Sequence, residues 1–184
     1  MAEENNVHIK LAGADVLGLF LISMIAILVG MYGLEVFDGL GVIINVSVAV
    51  GIGLFLCTIV SYLNENAICA AVFGLVGIFL IGFNGMVNGG DVTSQEIYTI
   101  FFGLALLLIG VVALYQPVRM LPILLFIAGL SFIFLGLWFD MGEDIRAVVG
   151  VFWLITSLLA LYMATAIGIL TVKGKAVLPL LIKG

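Results

Sequence analysis

The chain has 184 residues, of which 65% are hydrophobic and only 9% charged, with a mean hydropathy of +1.41. A soluble domain carries about 25% charged residues, so this composition excludes a soluble globular protein, and no nucleic-acid partner is expected. The formal net charge of −5 says little until it is divided between the two ends of the apolar segments.

Six apolar stretches, each about 20 residues long, fill almost the whole chain. Roughly 20 helical residues cross a bilayer core of about 30 Å, and lipid does not tolerate unpaired backbone groups, so such runs must be helices. The expected fold class is an all-α integral membrane protein, a bundle of six transmembrane helices near residues 15–34, 40–62, 67–87, 95–115, 121–139 and 145–172. Connections of about 10 residues or fewer leave no space for a soluble catalytic domain, so residues 1–184 read as a single transmembrane domain. Residues 1–10 are polar, contain Glu3 and Glu4, and lack a cationic signal-peptide start, so the first apolar run is expected to be a retained helix.

The first span opens at Gly13-Ala14-Asp15. A carboxylate in a first helical turn accepts free N–H groups and suits the positive end of the macrodipole. Ionisable groups at a membrane edge also serve as relays, and both roles stay open for Asp15. The second span carries Asn45, Ser47, Gly51, Gly53, Thr58 and Ser61, and the third carries Gly74, Gly77, Gly82, Asn84 and Gly85. Small residues on one stripe let helix backbones approach closely in lipid, so the 23 glycines read as packing devices rather than phosphate loops.

The fourth span places Gly103 and Gly110 seven apart on one face, and Pro117 and Pro122 bracket Arg119 in a tight turn. The fifth carries Gly129, Ser131 and Gly136 and ends at Trp138; the sixth follows the acidic cluster Asp140 to Asp144 and carries Trp153, Thr156, Ser157, Tyr162 and Thr165. Trp138 and Tyr115 fit interfacial anchors. Cys57 and Cys69 lack CxxC spacing, and His8 is the single histidine, so the cysteines read as small buried hydrophobes; no metal site, disulfide or cofactor is expected.

One side of the spans holds Lys10, Arg119, Lys173, Lys175 and Lys183, five of the six cations. The other holds Arg146 among Glu35, Asp38, Asp91, Glu96, Asp140, Glu143 and Asp144. Lys and Arg in short loops set orientation, so both termini are expected on the cytoplasmic face of the cell membrane.

The apolar interior offers no base and nucleophile that could work together, which argues against an enzyme. Neutral side chains remain at membrane depth: Ser23, Asn45, Ser47, Thr58, Asn84, Ser131, Thr156, Ser157 and Thr165. Hydroxyls there bond across helices or back to the i−4 carbonyl. Asn45 and Asn84 cannot satisfy themselves locally, and together with Ser47 and Thr58 they form the expected polar substrate pathway.

Tyr162-Met163-Ala164, followed by Gly174-Lys175-Ala176-Val177-Leu178-Pro179, resembles the close of the last helix and the tail of the acetate/succinate transporter family. Leu17-Gly18-Leu19 is similar to the end of that family's Asn-Pro-Ala-Pro-Leu-Gly-Leu signature, while Gly13-Ala14-Asp15-Val16 stands where the signature has Asn-Pro-Ala-Pro. The resemblance implies six spans, cytoplasmic termini and homohexamers in which each subunit encloses its own pore. It also implies a hydrophobic constriction; the family's Phe, Tyr and Leu fall at Ile22, Val76 and Ala128, and a glutamine of its second helix falls at Leu54. The stretch from Phe73-Gly74 to Asn84 looks like the related urea and amide channel family, whose gating histidines are absent here.

The leading expectation is therefore a passive or proton-linked pathway for a small monocarboxylate such as acetate, possible also for succinate. The alternatives are a neutral-solute channel for urea, short amides or ammonia, a substrate-binding membrane subunit of a larger transporter, and a scaffold subunit without a pore.

Overall fold

A computed structural model describes residues 13–180. Glu3, Glu4, His8, Lys10 and Lys183 lie outside the described residues. The helices are α1 (Asp15–Gly33), α2 (Leu40–Leu63), α3 (Ala67–Gly89), α4 (Val92–Ala113), α5 (Met120–Met141) and α6 (Arg146–Lys173), with a 3-10 turn at Gly142–Ile145. No strand occurs among the described residues. Five stretches are long and apolar enough to cross a membrane, the last being Met120–Lys173, whose 54 residues contain both α5 and α6.

Helix ends follow local chemistry. α4 begins at Val92, earlier than the hydropathy suggests, because the Asp91 side chain accepts from the Ser94 backbone N–H at 2.7 Å. α5 begins at Met120 with Pro122 in its first turn, where a missing N–H costs nothing. α1 and α2 end in the same way. In each, a glutamate takes a left-handed conformation, Glu35 and Glu65 both at φ 59°, and the next N–H returns to the last turn: Val36 to the Met31 carbonyl at 3.0 Å and Asn66 to the Ser61 carbonyl at 2.9 Å.

The helices pack most closely as three pairs, α1 with α6, α2 with α3, and α4 with α5. Each pair crosses at facing glycines. A Cβ on Gly33 would lie 2.7 Å from the Gly150 Cα, one on Gly51 would lie 2.9 Å from the Gly77 oxygen, and one on Gly103 would lie 2.7 Å from the Gly129 oxygen. Lipid supplies no hydrophobic push between helices, so this close backbone contact is what holds each pair together. Gly110 also faces α5, against Phe126, so the α4 stripe of small residues is a packing face.

Large apolar side chains such as Leu17, Phe55, Leu108 and Leu158 are exposed on the outside of the bundle, while Phe79, Ile25, Leu54 and Leu106 are fully buried. Helices that are apolar all round belong in lipid.

Candidate functional site

Two cavities lie end to end inside the bundle. The first, of about 240 Å³, is lined at its outer end by Tyr32, Leu40, Val87, Trp138 and Phe139. The second, of about 130 Å³, opens among Asp15, Asn66, Cys69, Gln116 and Val118. Both are lined along the same helix faces. On α1 the stripe runs Asp15, Leu19, Ile22 in the second cavity and continues as Ile25, Val29, Tyr32 in the first. On α3 it runs Cys69, Val72, Val76 and continues as Phe79, Phe83, Val87. Steps of three and four residues keep one face of a helix in register, so the two spaces share one axis through the bundle.

An aromatic layer stands between them. Trp153 lines both cavities, Phe132 lines the second and Phe79 the first. The Phe79 and Phe132 rings meet edge-on with centroids 4.8 Å apart, and Phe132 lies 5.0 Å from Trp153. Polar bonds fix this layer. The Trp153 indole N–H donates to the Ser131 carbonyl at 3.0 Å, and the Ser131 and Thr156 hydroxyls lie 2.8 Å apart. Ser157 donates to the Ser23 carbonyl at 2.9 Å, which ties α6 to α1 at the same depth. These are the cross-helix hydroxyl bonds expected at membrane depth; Ser131, Ser157 and Ser23 line neither cavity, and Thr156 lines the second.

Ile22, Val76 and Ala128, the constriction positions implied by resemblance, all line the second cavity and are all buried. Leu54 is fully buried in α2 and lines neither space. The four expected pathway residues are not brought together. Ser47 donates to the Ile44 carbonyl at 2.7 Å and Thr58 to the Leu54 carbonyl at 2.9 Å, which uses up both hydroxyl protons within α2. Asn45 and Asn84 are exposed on the outer face of the bundle, and the Asn84 side-chain oxygen accepts from Asn88. None of the four is among the residues lining either cavity.

The two ends of the axis differ in charge. At the Tyr32 end, the Arg146 guanidinium sits 5.0 Å from the Tyr32 ring centre and 5.6 Å from that of Trp138. It donates to the Tyr32 carbonyl at 3.1 Å and to Glu143 at 3.0 Å, with Glu35 at 3.6 Å. Arg146 thus clamps two rings of the cavity mouth from behind. At the other end, the Asp15 carboxylate accepts from Asn66 Nδ2 at 3.2 Å and Ser61 Oγ at 3.5 Å. The Glu65 turn sets Asn66 in place, and the Asn66 side-chain oxygen caps α3 at the Cys69 N–H, 3.3 Å away. Asp15 is the one charged residue among those lining the two cavities.

The aromatic layer was not singled out by sequence reasoning. Phe79 and Phe132 are two of 13 phenylalanines in a uniformly apolar chain, and nothing local marks them. The available signal was the three-and-four spacing of Val72, Val76, Phe79 and Phe83, visible only when bulk rather than hydropathy is followed.

No family model and no curated protein sequence matches the chain. Among solved structures, one described as the structure of the bacterial acetate channel SatP superposes with a TM-score of 0.85 at 21% identity, over 92% of this chain and 99% of that one. The chain has the fold of that acetate channel. The match spans nearly the whole of that channel and most of this chain with its six long helices.

The two halves of the tail motif are joined in space. The Tyr162 hydroxyl donates to the Pro179 carbonyl at 2.9 Å, after the chain turns back at Gly174 with φ 67°. Gly18, in the helix-one signature, faces the Phe73 ring, with which any Cβ there would collide.

Proposed function

We propose that the chain is a passive or proton-linked channel for a small monocarboxylate such as acetate, of the acetate/succinate transporter family. The observation that carries this reading is the pair of cavities on one axis, parted by a single aromatic layer, in a fold shared with an acetate channel. Six spans forming a single domain, cytoplasmic termini and a place in the cell membrane belong to the same proposal. Ile22, Val76 and Ala128 form the wall leading to the narrowest part, and the rings of Phe79, Phe132 and Trp153 close it. These apolar walls replace little of a carboxylate's hydration, so the protonated acid passes more easily than the anion.

A homohexamer with one pathway per subunit completes the proposal. It is supported by Asn45, an exposed amide with no hydrogen-bond partner among the described residues, which a neighbouring subunit would satisfy in lipid.

The test is uptake of labelled acetate into vesicles containing the purified protein, against protein-free vesicles. Uptake above the control that falls as pH rises supports the reading. Uptake equal to the control removes it, and uptake independent of pH removes passage as the acid. A second reading, a channel for urea or another neutral solute, is favoured by the absence of any cation among the cavity-lining residues. Osmotic swelling of the same vesicles in urea and in acetate separates the two.

A further inference from the structure

We infer that Asp15 is a charge filter at one mouth of the pathway, rejecting anions and admitting neutral or cationic small solutes. This rests on the cavities being the solute route, and it names the charge class that the route accepts. The position is set by the fold. α1, α3 and the turn after α4 all have an end at this mouth, and they bring Asp15, Asn66, Cys69 and Gln116 to the rim of the second cavity.

The carboxylate is held by neutral donors only, Asn66 at 3.2 Å and Ser61 at 3.5 Å. No cation pairs with it among the described residues: the ion pairs found there both belong to Arg146, at the opposite end of the axis. Arg119 and Lys173, on helix ends, and Lys175, just past the end of α6, lie at the same side of the bundle and are exposed. A half-buried carboxylate with neutral donors but no paired cation among the described residues therefore contributes a negative field at the rim. Beyond the rim the lining is apolar apart from Thr156, so any anion entering here loses hydration next to a like charge. The family signature places alanine at this position, so the filter would distinguish this chain from relatives that carry the signature.

Cys69 supplies a reporter, because its thiol lies beside Asp15 on the same rim. Cys57, the other cysteine, is buried and lines neither cavity. The experiment measures, in detergent, how fast Cys69 reacts with a trimethylammonium and a sulfonate methanethiosulfonate of similar size. Each rate is divided by that for free mercaptoethanol, and Cys57 is replaced by serine.

At about 5 Å in a water-like dielectric, one unit charge favours or disfavours another roughly fourfold, so the cation-to-anion ratio should be about sixteenfold in the parent at low salt. It should shrink in high salt, fall towards one in Asp15→Asn, and persist in Asp15→Glu. A thermal melt verifies that each variant is folded. A parent ratio near one, a ratio unchanged in Asp15→Asn, or failure of either reagent to reach Cys69 overturns the inference. Acetate uptake is scored separately: a charge ratio without uptake leaves the filter standing and removes the monocarboxylate reading, whereas uptake without a charge ratio does the reverse.

Discussion

The Phe132 ring packs against the Trp153 indole with centroids 5.0 Å apart, and this contact lies where the two cavities would otherwise join. Trp153 is held by its N–H bond to the Ser131 carbonyl, whereas Phe132 is held by ring contacts alone. The two residues therefore answer differently to substitution.

Phe132→Ala removes the unanchored member of the layer. The expected result is a several-fold rise in acetate uptake into vesicles, with a loss of stability of about 3 kcal/mol or less, at the lower end of the range for truncating a buried aromatic. Trp153→Phe keeps a ring but leaves the Ser131 carbonyl without its indole donor, so stability should fall with a smaller rise in uptake. Unchanged uptake in Phe132→Ala would mean that the rings are not the barrier.

Gly103 and Gly129 face each other across α4 and α5, and a Cβ on either would lie within 2.9 Å of the other's carbonyl oxygen. Gly103→Leu should therefore force the pair apart, lowering stability by roughly 1–3 kcal/mol, the usual cost of overpacking. Gly13, where a Cβ meets nothing within 4 Å, is the control: Gly13→Ala should leave the melting temperature unchanged. Thermal unfolding in detergent reads both, and equal melting temperatures for Gly103→Leu and the parent would sink the glycine-crossing account.

Arg146 combines two ring contacts with a bond to the Tyr32 carbonyl. Arg146→Ala should cost about 1–3 kcal/mol, from the lost cation–π contacts and the carbonyl left without its donor. Arg146→Lys should restore less than half of this, because an ammonium cannot stack in plane on Tyr32 while bonding behind it. Trp138 fluorescence, in a Trp153→Phe background, should shift in Arg146→Ala as the indole loosens. A full rescue by lysine would reduce the clamp to simple charge pairing with Glu35 and Glu143.

The site was less legible in the sequence than the fold. Asn45 and Asn84 drew attention as the richest hydrogen-bonding groups at depth, yet both face outward. Hydropathy reveals rotation about a helix axis only when one face is more polar than the other, and the runs from Leu40 to Leu63 and from Ala67 to Gly89 are apolar on all sides. Asp15 was legible as a residue with two possible roles, but its place on a cavity rim depends on Asn66 and Ser61, 51 and 46 residues further along the chain.

Length and apolarity of the runs by themselves determined that this chain is helical and suited to lipid, because a backbone without water must bond within its own segment. The breaks at Asp91, Pro117 and Gly142 and the small residues available for close crossing were equally local properties. Which glycines meet, which rings divide the interior and which single carboxylate faces the cavities were decided by the tertiary structure. Those outcomes depend on how each helix is rotated against its neighbours, and packing between helices sets that rotation when every face is equally soluble in lipid.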